Sequence, residues 1–300
     1  MPRTTSTKLL LGCVSYCNDI LRIWDGMRSR LAVRGVDLDY ATFNSYDRLV
    51  DALVRGHVDV AWNGPLAHVR AQRRLPTCAS LGMRDVDRDF ESVVVAHERF
   101  APGEPSDLRT ALLGKRVVAG AHDSPQAYVL PVQFAAEAGV ALSSLHVTRY
   151  DCDVGKHGDT AAGEELVLRH VRARGAHVVV GFVSRMMLDR CSFRDELAVV
   201  ARFPPFDHCQ FDAHPNVPRR DRDAFAAALM DMDKDRDVAD RVVMDMEGIR
   251  RSWAGAREHG YEAMRRATAG EDAAARFPLP LHEVGRHPFA SLQVLDAVAT

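Results

Sequence analysis

Two periods of apolar spacing alternate along the chain. Leu9 to Val14 is mostly apolar and predicts a strand over Lys8–Val14, and the stretch after it, through Leu31, spaces its apolar residues for a helix. Ser45 then stands as an N-cap before Tyr46, Leu49, Val50, Leu53 and Val54, which fall on one helical face, and Gly56 ends that helix. Val58-Asp59-Val60-Ala61-Trp62 reads as the next strand, and Asn63-Gly64-Pro65 turns the chain into a helix whose first turn accepts proline. Strand alternating with helix predicts α/β architecture with a mostly parallel sheet.

The pattern recurs further on. Gly114-Lys115-Arg116 leads into a strand at Val117–Ala119, a loop at Gly120–Pro125 and a helix ending at Gly139. Glu164–Arg174 is a helix stopped by Gly175, and His177–Phe182 is a strand that runs into another helix. One copy in each half predicts two lobes, which a length of 300 residues readily fills. Lobe 1 is expected to comprise residues 1–99 and 202–270, lobe 2 residues 100–201, and 271–300 a tail packed on the surface. The Pro- and Gly-rich segment Phe100–Pro105 is the expected first crossing between lobes, and Leu197–Ala201 with the following Phe203-Pro204-Pro205 the return. Residues 220–266 read as helical, packing back on lobe 1, with Asp231–Asp240 as a solvated charged face.

Composition removes several functions. Hydrophobic residues make up 47% and charged residues 27%, the balance of a globular protein, and 39 basic against 41 acidic residues give a net charge of −2. No global positive field exists to attract nucleic acid, and no apolar run approaches the roughly 20 residues of a membrane span. Leu10-Leu11-Gly12-Cys13 matches a lipoprotein cleavage pattern, but the apolar stretch before Cys13 is too short for a signal core, so the segment reads as the first strand. The expected location is cytoplasmic, or periplasmic if a leader has been removed. The six cysteines are then expected to be thiols. No nucleophile elbow, P-loop, dinucleotide fingerprint or His-Glu-x-x-His pattern is present.

Taken together, Tyr46-Asp47-Arg48-Leu49-Val50-Asp51-Ala52-Leu53 with Gly56–Trp62, Leu113-Gly114-Lys115-Arg116-Val117 with the loop at Asp123-Ser124, and the helix-Gly-strand unit at 164–182 resemble the phosphonate-type substrate-binding proteins of ABC transporters. The resemblance covers residues 8–266 and implies the two-lobed type II periplasmic-binding-protein fold, with a small-molecule ligand in the cleft between lobes and an ABC permease as partner if the chain is exported. Open α/β sheets bind ligands at strand carboxyl ends and helix N-termini on physical grounds alone. One departure concerns the loop that in phosphonate binders reads like Ser-Thr-Ser-Gly; here it is His122-Asp123-Ser124-Pro125-Gln126.

The candidate ligand contacts follow from strand-end positions. They are Ser15, Tyr16, Trp62 and Asn63 from the first lobe, the two aromatics as walls, and His122, Asp123, Ser124, Gln126 and Tyr128 from the second. Lys156, His157, Asp159 and Thr160 sit where a helix N-terminus favours an anion, and His208 lies near the return crossing. His157, Asp159, His208 and Cys209 also form a candidate metal set, since imidazole with carboxylate suits iron and imidazole with thiolate suits zinc. The expected function is binding of a small anionic or zwitterionic ligand. The alternatives are a cytoplasmic enzyme on this scaffold, with iron as its candidate metal as in the similar thiamine-pyrimidine synthases but without their cysteine-rich motif, and a cytoplasmic ligand sensor.

Overall fold

The first apolar run is a strand because both its faces are covered. β1 (Leu9–Val14) pairs in parallel with β2 (Leu38–Phe43) and β3 (Val60–Asn63). α1 (Ile20–Ala32) buries Ile23, Trp24, Met27 and Leu31 against one face, while α2 (Tyr46–Val54) and α3 (Pro65–Arg74) cover the other. Ser45 Oγ accepts the Arg48 amide at 3.3 Å, the expected cap, and Gly56 ends α2 at a φ of 69°, which glycine adopts without strain. β4 (Ala79–Arg84) completes this unit. The computed structural model describes residues 8–15, 19–101, 103–150, 160–174 and 179–271.

A second unit contains β5 (Ser92–His97), α4 (Leu108–Leu112), β6 (Arg116–Ala119), α5 (Leu130–Glu137), β7 (His146–Arg149), α6 (Thr160–Arg174), β8 (Val179–Ser184), α7 (Arg185–Arg190) and β9 (Leu197–Arg202). The chain then returns through β10 (Gln210–Ala213), α8 (Arg219–Met230), α9 (Val238–Met246), β11 (Trp253–Ala254) and α10 (Glu262–Ala267). The strands form two sheets, ordered β11-β4-β10-β3-β1-β2 and β7-β6-β8-β5-β9. In the first sheet β10 and the edge strand β11 run against the other four, β10 antiparallel to β3 and β4 and β11 antiparallel to β4, and in the second β5 alone is reversed, antiparallel to β8 and β9. β10 and β5 are the strands arriving from the other lobe. The two-lobed α/β reading thus holds, but the sheets are mixed where mostly parallel ones were expected: among the described residues four strand pairs are parallel and five antiparallel, because a reversed strand enters each sheet at a crossing and β11 adds another at the edge of the first.

The crossings lie elsewhere than expected. β5 already belongs to the second sheet, so the chain changes lobe at residues 85–91 and not at Phe100–Pro105, which is a surface connection ahead of α4. Leu197–Ala201 is β9 itself, and the return is the following segment, 203–209. The two crossing segments run antiparallel and touch through Phe90 and Phe206, whose amides and carbonyls exchange hydrogen bonds of 2.6 and 3.2 Å. Lobe 2 thus begins near residue 92 where 100 was expected; the tail expected at 271–300 falls, from 272 on, outside the described residues.

Four apolar clusters follow from this layout. α1, α8 and α9 pack on one face of the first sheet, α2 and α3 on the other, and α6 with α7 on one face of the second. The fourth cluster spans both lobes, joining Leu66 and Val69 of α3 to Phe134 of α5 and to Tyr261 and Met264 at α10. α10 therefore packs on lobe 2 as well as lobe 1, tied by Arg266 to Glu137 at 2.9 Å and by Arg73 to the Thr268 carbonyl. Asp240, expected on a solvated face, is buried in α9 where Arg30 of α1 and Arg34 of the turn after it clamp its carboxylate at 2.7 and 2.5 Å. No helix among the described residues is long and apolar enough to cross a membrane.

Candidate functional site

β3 pairs through Asn63 with Gln210, one residue past the return crossing, and β8 ends at Ser184, whose successor donates its amide to Glu91 of the first crossing at 2.9 Å. The ends of strands from both sheets therefore meet at the crossings. Helices begin there with capped N-termini: Ser124 Oγ accepts the Ala127 amide at 3.2 Å at the head of a π-type turn over Pro125–Val129, and Ser184 Oγ accepts the Met187 amide at 3.2 Å at the head of α7. Such ends present partial positive charge to the junction.

His208 stands at the centre. Its ring stacks on Phe90 with centroids 4.4 Å apart, Nε2 lies 3.4 Å from Gln126 Oε1, and Nδ1 lies 3.3 Å from Asp87 and 3.1 Å from Cys209 Sγ. Gln126 passes the contact into lobe 2 by donating to Glu164 at 2.9 Å, and Glu164 accepts the Ser184 amide at 2.5 Å. On the lobe 1 side, Arg84 holds Asp87 through two bonds of 2.6 and 2.8 Å, donates to the Glu247 carbonyl at 2.8 Å and lies 5.4 Å over the Trp62 ring. A polar chain thus runs from the core of one lobe to the core of the other.

Charge in this chain is set by its neighbours. Burial would raise the Asp87 carboxyl, but Arg84 and His208 outweigh it and hold it at about 2. Burial would lower the His208 imidazole, and Cys209 with Asp87 drives it the other way, above its ordinary value. Burial pushes the Glu164 carboxyl up, outweighing its hydrogen bonds with Ser184 and Gln126 and the more distant charge of His208, all of which favour the ionised form.

The predicted residues divide into three groups. His208, Cys209, Gln126 and Ser124 are gathered at the junction as expected, with His122 and Asp123 half-buried in the adjoining loop. Tyr128 is half-buried under the Arg149 guanidinium at 5.3 Å, and Ser15, also half-buried, donates its amide to Phe43. Trp62 is not an aromatic wall: it is 1% exposed, packed on Phe211 at 4.4 Å and Trp253 at 6.0 Å in the lobe 1 core. Asn63 is likewise fully buried, donating to Asp212 at 2.8 Å. Tyr16, Lys156, His157 and Asp159 lie outside the described residues, as does the side chain of Thr160, whose backbone opens α6. The structure adds Arg84, Asp87, Glu164 and Tyr46, the last set against Gly64 at the β3 end. The sequence carries only a weak sign of the first two, a charged run at Arg84–Asp89 between two apolar strands.

Of the proposed metal ligands, His208 and Cys209 come together with Asp87, their ligating atoms all within 4.8 Å. The donor set resembles a zinc or iron site in type, but both Asp87 oxygens are already bound by a guanidinium, and a fixed cation beside a dication is unfavourable. The three side chains fit a hydrogen-bonded hub better than a metal site.

A second buried network backs the junction in lobe 1. His68 Nδ1 lies 2.9 Å from Asp212 and Nε2 3.5 Å from Glu258, Ser80 donates to Glu258 at 2.6 Å, and the Tyr261 ring stacks on His68 at 4.3 Å. The Tyr261 hydroxyl donates to the His208 carbonyl at 2.9 Å, which links this network to the return crossing. Beside it, buried Asp207 is fixed by Arg257 at 2.6 Å and by the Asp89 amide at 3.1 Å, and Gly260 passes so close that a Cβ there would collide with the Asp207 carboxylate and sit 2.6 Å from its Cβ. Gly260→Ala is expected to cost about 2 kcal/mol in chemical denaturation, because Asp207 cannot yield without losing those bonds. A cost under about 0.5 kcal/mol would show that the crossing tolerates movement there.

The comparisons with known proteins agree with this layout. A family profile described as "ABC transporter, phosphonate, periplasmic substrate-binding protein" matches residues 19–254, and the chain belongs to that family. It is therefore a solute-binding protein of the phosphonate transporter class, built to hold a small molecule between two lobes. A probable ABC transporter phosphite binding protein, PhnD1 from Prochlorococcus marinus (strain MIT 9301), is 26% identical over 109 residues, an alignment spanning 36% of this chain and 37% of that protein. The structure of PhnD1 from Prochlorococcus marinus with methylphosphonate superposes with a TM-score of 0.68 at 16% identity, covering 87% of this chain and 97% of that one. XAC2383 from Xanthomonas citri bound to ATP gives 0.65 at 15% identity over 88% and 97%, showing the same fold.

Proposed function

We propose that the protein binds a small anionic or zwitterionic solute bearing an oxyanion such as a phosphonate, at the junction where His208, Gln126 and the Ser124 and Ser184 helix ends meet. The carrying observation is that His208 of the return crossing contacts Gln126 of the lobe 2 loop, so the junction itself is built from strand-end groups of both lobes. The bound methylphosphonate of one neighbour and ATP of another mark the range of phosphorus oxyanions held on this fold. Ser124 Oγ and the Gln126 amide are both engaged internally, which leaves backbone amides of the junction to supply anion contacts. That arrangement favours a ligand of modest charge over a compact dianion. Catalysis on the scaffold draws no support from the family match.

Calorimetric titration with methylphosphonate, phosphite and an aminoalkylphosphonate tests the reading. One-to-one binding of at least one of them is expected, with lobe closure read by small-angle scattering, and Lys156→Glu is expected to weaken it at least tenfold by reversing a charge beside the α6 N-terminus. No binding by any of the three would overturn the proposal. The metal reading is tested separately: elemental analysis of protein purified without a His tag, with and without added zinc, is expected to find no stoichiometric metal at the Asp87, His208 and Cys209 cluster.

A further inference from the structure

Away from α10, the lobes leave a gap. A cavity of about 590 Å³ opens there, walled by residues of the first crossing, by α7 of lobe 2 and by the turn that follows α9 of lobe 1, with no residue of α3, α5 or α10 in its lining. The volume suits a small organic molecule and exceeds what an orthophosphate needs.

The lining is balanced in formal charge but not in its side-chain contacts. Four acids face it, and each is engaged. Asp85 accepts the amides of Arg250 and Arg251 at 3.0 and 2.6 Å, and Asp89 is paired with Arg257 at 2.7 Å. Glu91 is paired with Arg202 at 3.3 Å and Asp189 with Arg185 at 2.8 Å. Four arginines also face it, of which Arg185 is paired and Arg88 donates to the Gly255 carbonyl at 2.5 Å. Arg190 and Arg250 remain, exposed, and their guanidinium groups have no hydrogen-bond or ion-pair partner among the described residues. Arg190 comes from lobe 2, yet its guanidinium reaches to within 3.9 Å of where a Cβ on Gly248 of lobe 1 would stand. Arg250 is two residues further along that turn, and Asp85 fixes the backbone that carries it.

We infer that this cavity is a second anion site, next to the central junction and sharing Phe90 with it, that takes a small polyanion with two oxyanion groups bridged between Arg190 of lobe 2 and Arg250 of lobe 1. Guanidinium groups bind phosphate and carboxylate through paired charge-assisted bonds, and the two arginines offer ten such donors with no internal acceptor. Because one arginine belongs to each lobe, an anion held by both favours the lobe arrangement that brings them together.

The test uses inorganic pyrophosphate as probe, titrated calorimetrically into the full chain and into the Arg190→Gln/Arg250→Gln double variant. Both side chains are exposed and unpaired, so the double variant is expected to melt within a degree or two of the original. Pyrophosphate is expected to bind the original chain and to bind the double variant at least tenfold more weakly, while methylphosphonate affinity stays the same in both. Equal pyrophosphate affinity in the two proteins, or none in the original, would overturn the inference, as would a parallel loss of methylphosphonate binding in the double variant. The reading of the central junction fails on a different result, the absence of phosphonate binding to the original chain.

Discussion

Replacing Arg84 with methionine is expected to lower the free energy of unfolding by about 3–5 kcal/mol, the largest effect of any single change outside the apolar core. Arg84 makes two bonds to Asp87, a third to the Glu247 carbonyl, and covers Trp62. Asp87 is fully buried, so the methionine variant leaves a carboxylate in low dielectric with His208 as its remaining cationic neighbour. Held at about 2 with Arg84 in place, the carboxyl adds stability to the parent above its unfolded value of about 3.9; without Arg84 burial lifts it past that value, so in the variant Asp87 itself removes stability as the pH climbs from about 4. Arg84→Lys keeps the charge but cannot make the two-pronged bond, and falls between the two. The double variant Arg84→Met/Asp87→Asn separates a stranded charge from lost packing: removing the carboxylate as well is expected to recover at least 1 kcal/mol by guanidinium denaturation. If the double variant is no more stable than Arg84→Met, or if Arg84→Met costs under 1 kcal/mol, the hub is not what joins the crossing segment to lobe 1.

The fold was largely legible in the sequence because its elements carry their own marks. Ser45 with the spacing of Tyr46, Leu49, Val50, Leu53 and Val54 specifies α2 without reference to anything distant, and Gly64-Pro65 does the same for the start of α3. The lobe crossing was not legible, because proline and glycine mark where a chain turns and say nothing about which sheet the next strand joins. Val93–Val95 would be buried equally well in either sheet, and the true crossing, 85–91, is charged and looks like any surface loop. Trp62 was assigned to the cleft one position too early. Side chains alternate along a strand, so Trp62 points to Phe211 and Asn63 to Asp212, both inside lobe 1, and the junction is reached only beyond the strand end at Gly64. His208, Cys209 and Gln126 were recoverable because polar, chemically capable residues clustered beside a Pro-Pro turn and a capped loop. Arg84 and Asp87 were not, since an i,i+3 ion pair reads the same in sequence whether it is buried or solvated.

Raising the pH is expected to destabilise the protein through His68 well before the tyrosines and lysines of an ordinary surface titrate. Burial by itself would lower this imidazole, but Asp212 at 2.9 Å and Glu258 at 3.5 Å raise it from 6.5 to about 9. The ring is fully buried under Tyr261 beside Gln210 and its partner Asp212 is fully buried too, so that pair is unscreened, while Glu258 is about half exposed (49%) and contributes less. A group held charged in the folded state contributes its full stabilisation below the unfolded value of 6.5 and loses it as the pH climbs through about 9, a difference of roughly 3 kcal/mol. Glu258 works in the opposite sense and in another window: its carboxyl, lowered to about 2 despite partial burial, is lost as a stabiliser only on acidification. His208 is also raised and adds to the alkaline loss, so His68 must be read by difference. Unfolding free energies of the parent and His68→Gln at pH 6, 8 and 10 supply that difference. The gap between the two proteins is expected to be widest at pH 6 and to narrow by about 3 kcal/mol by pH 10, with the His68 ring signals titrating near 9 in NMR. A gap that stays constant across the range would mean that the ring is neutral in the folded protein and that Asp212 is satisfied by Asn63 and Ser80 alone.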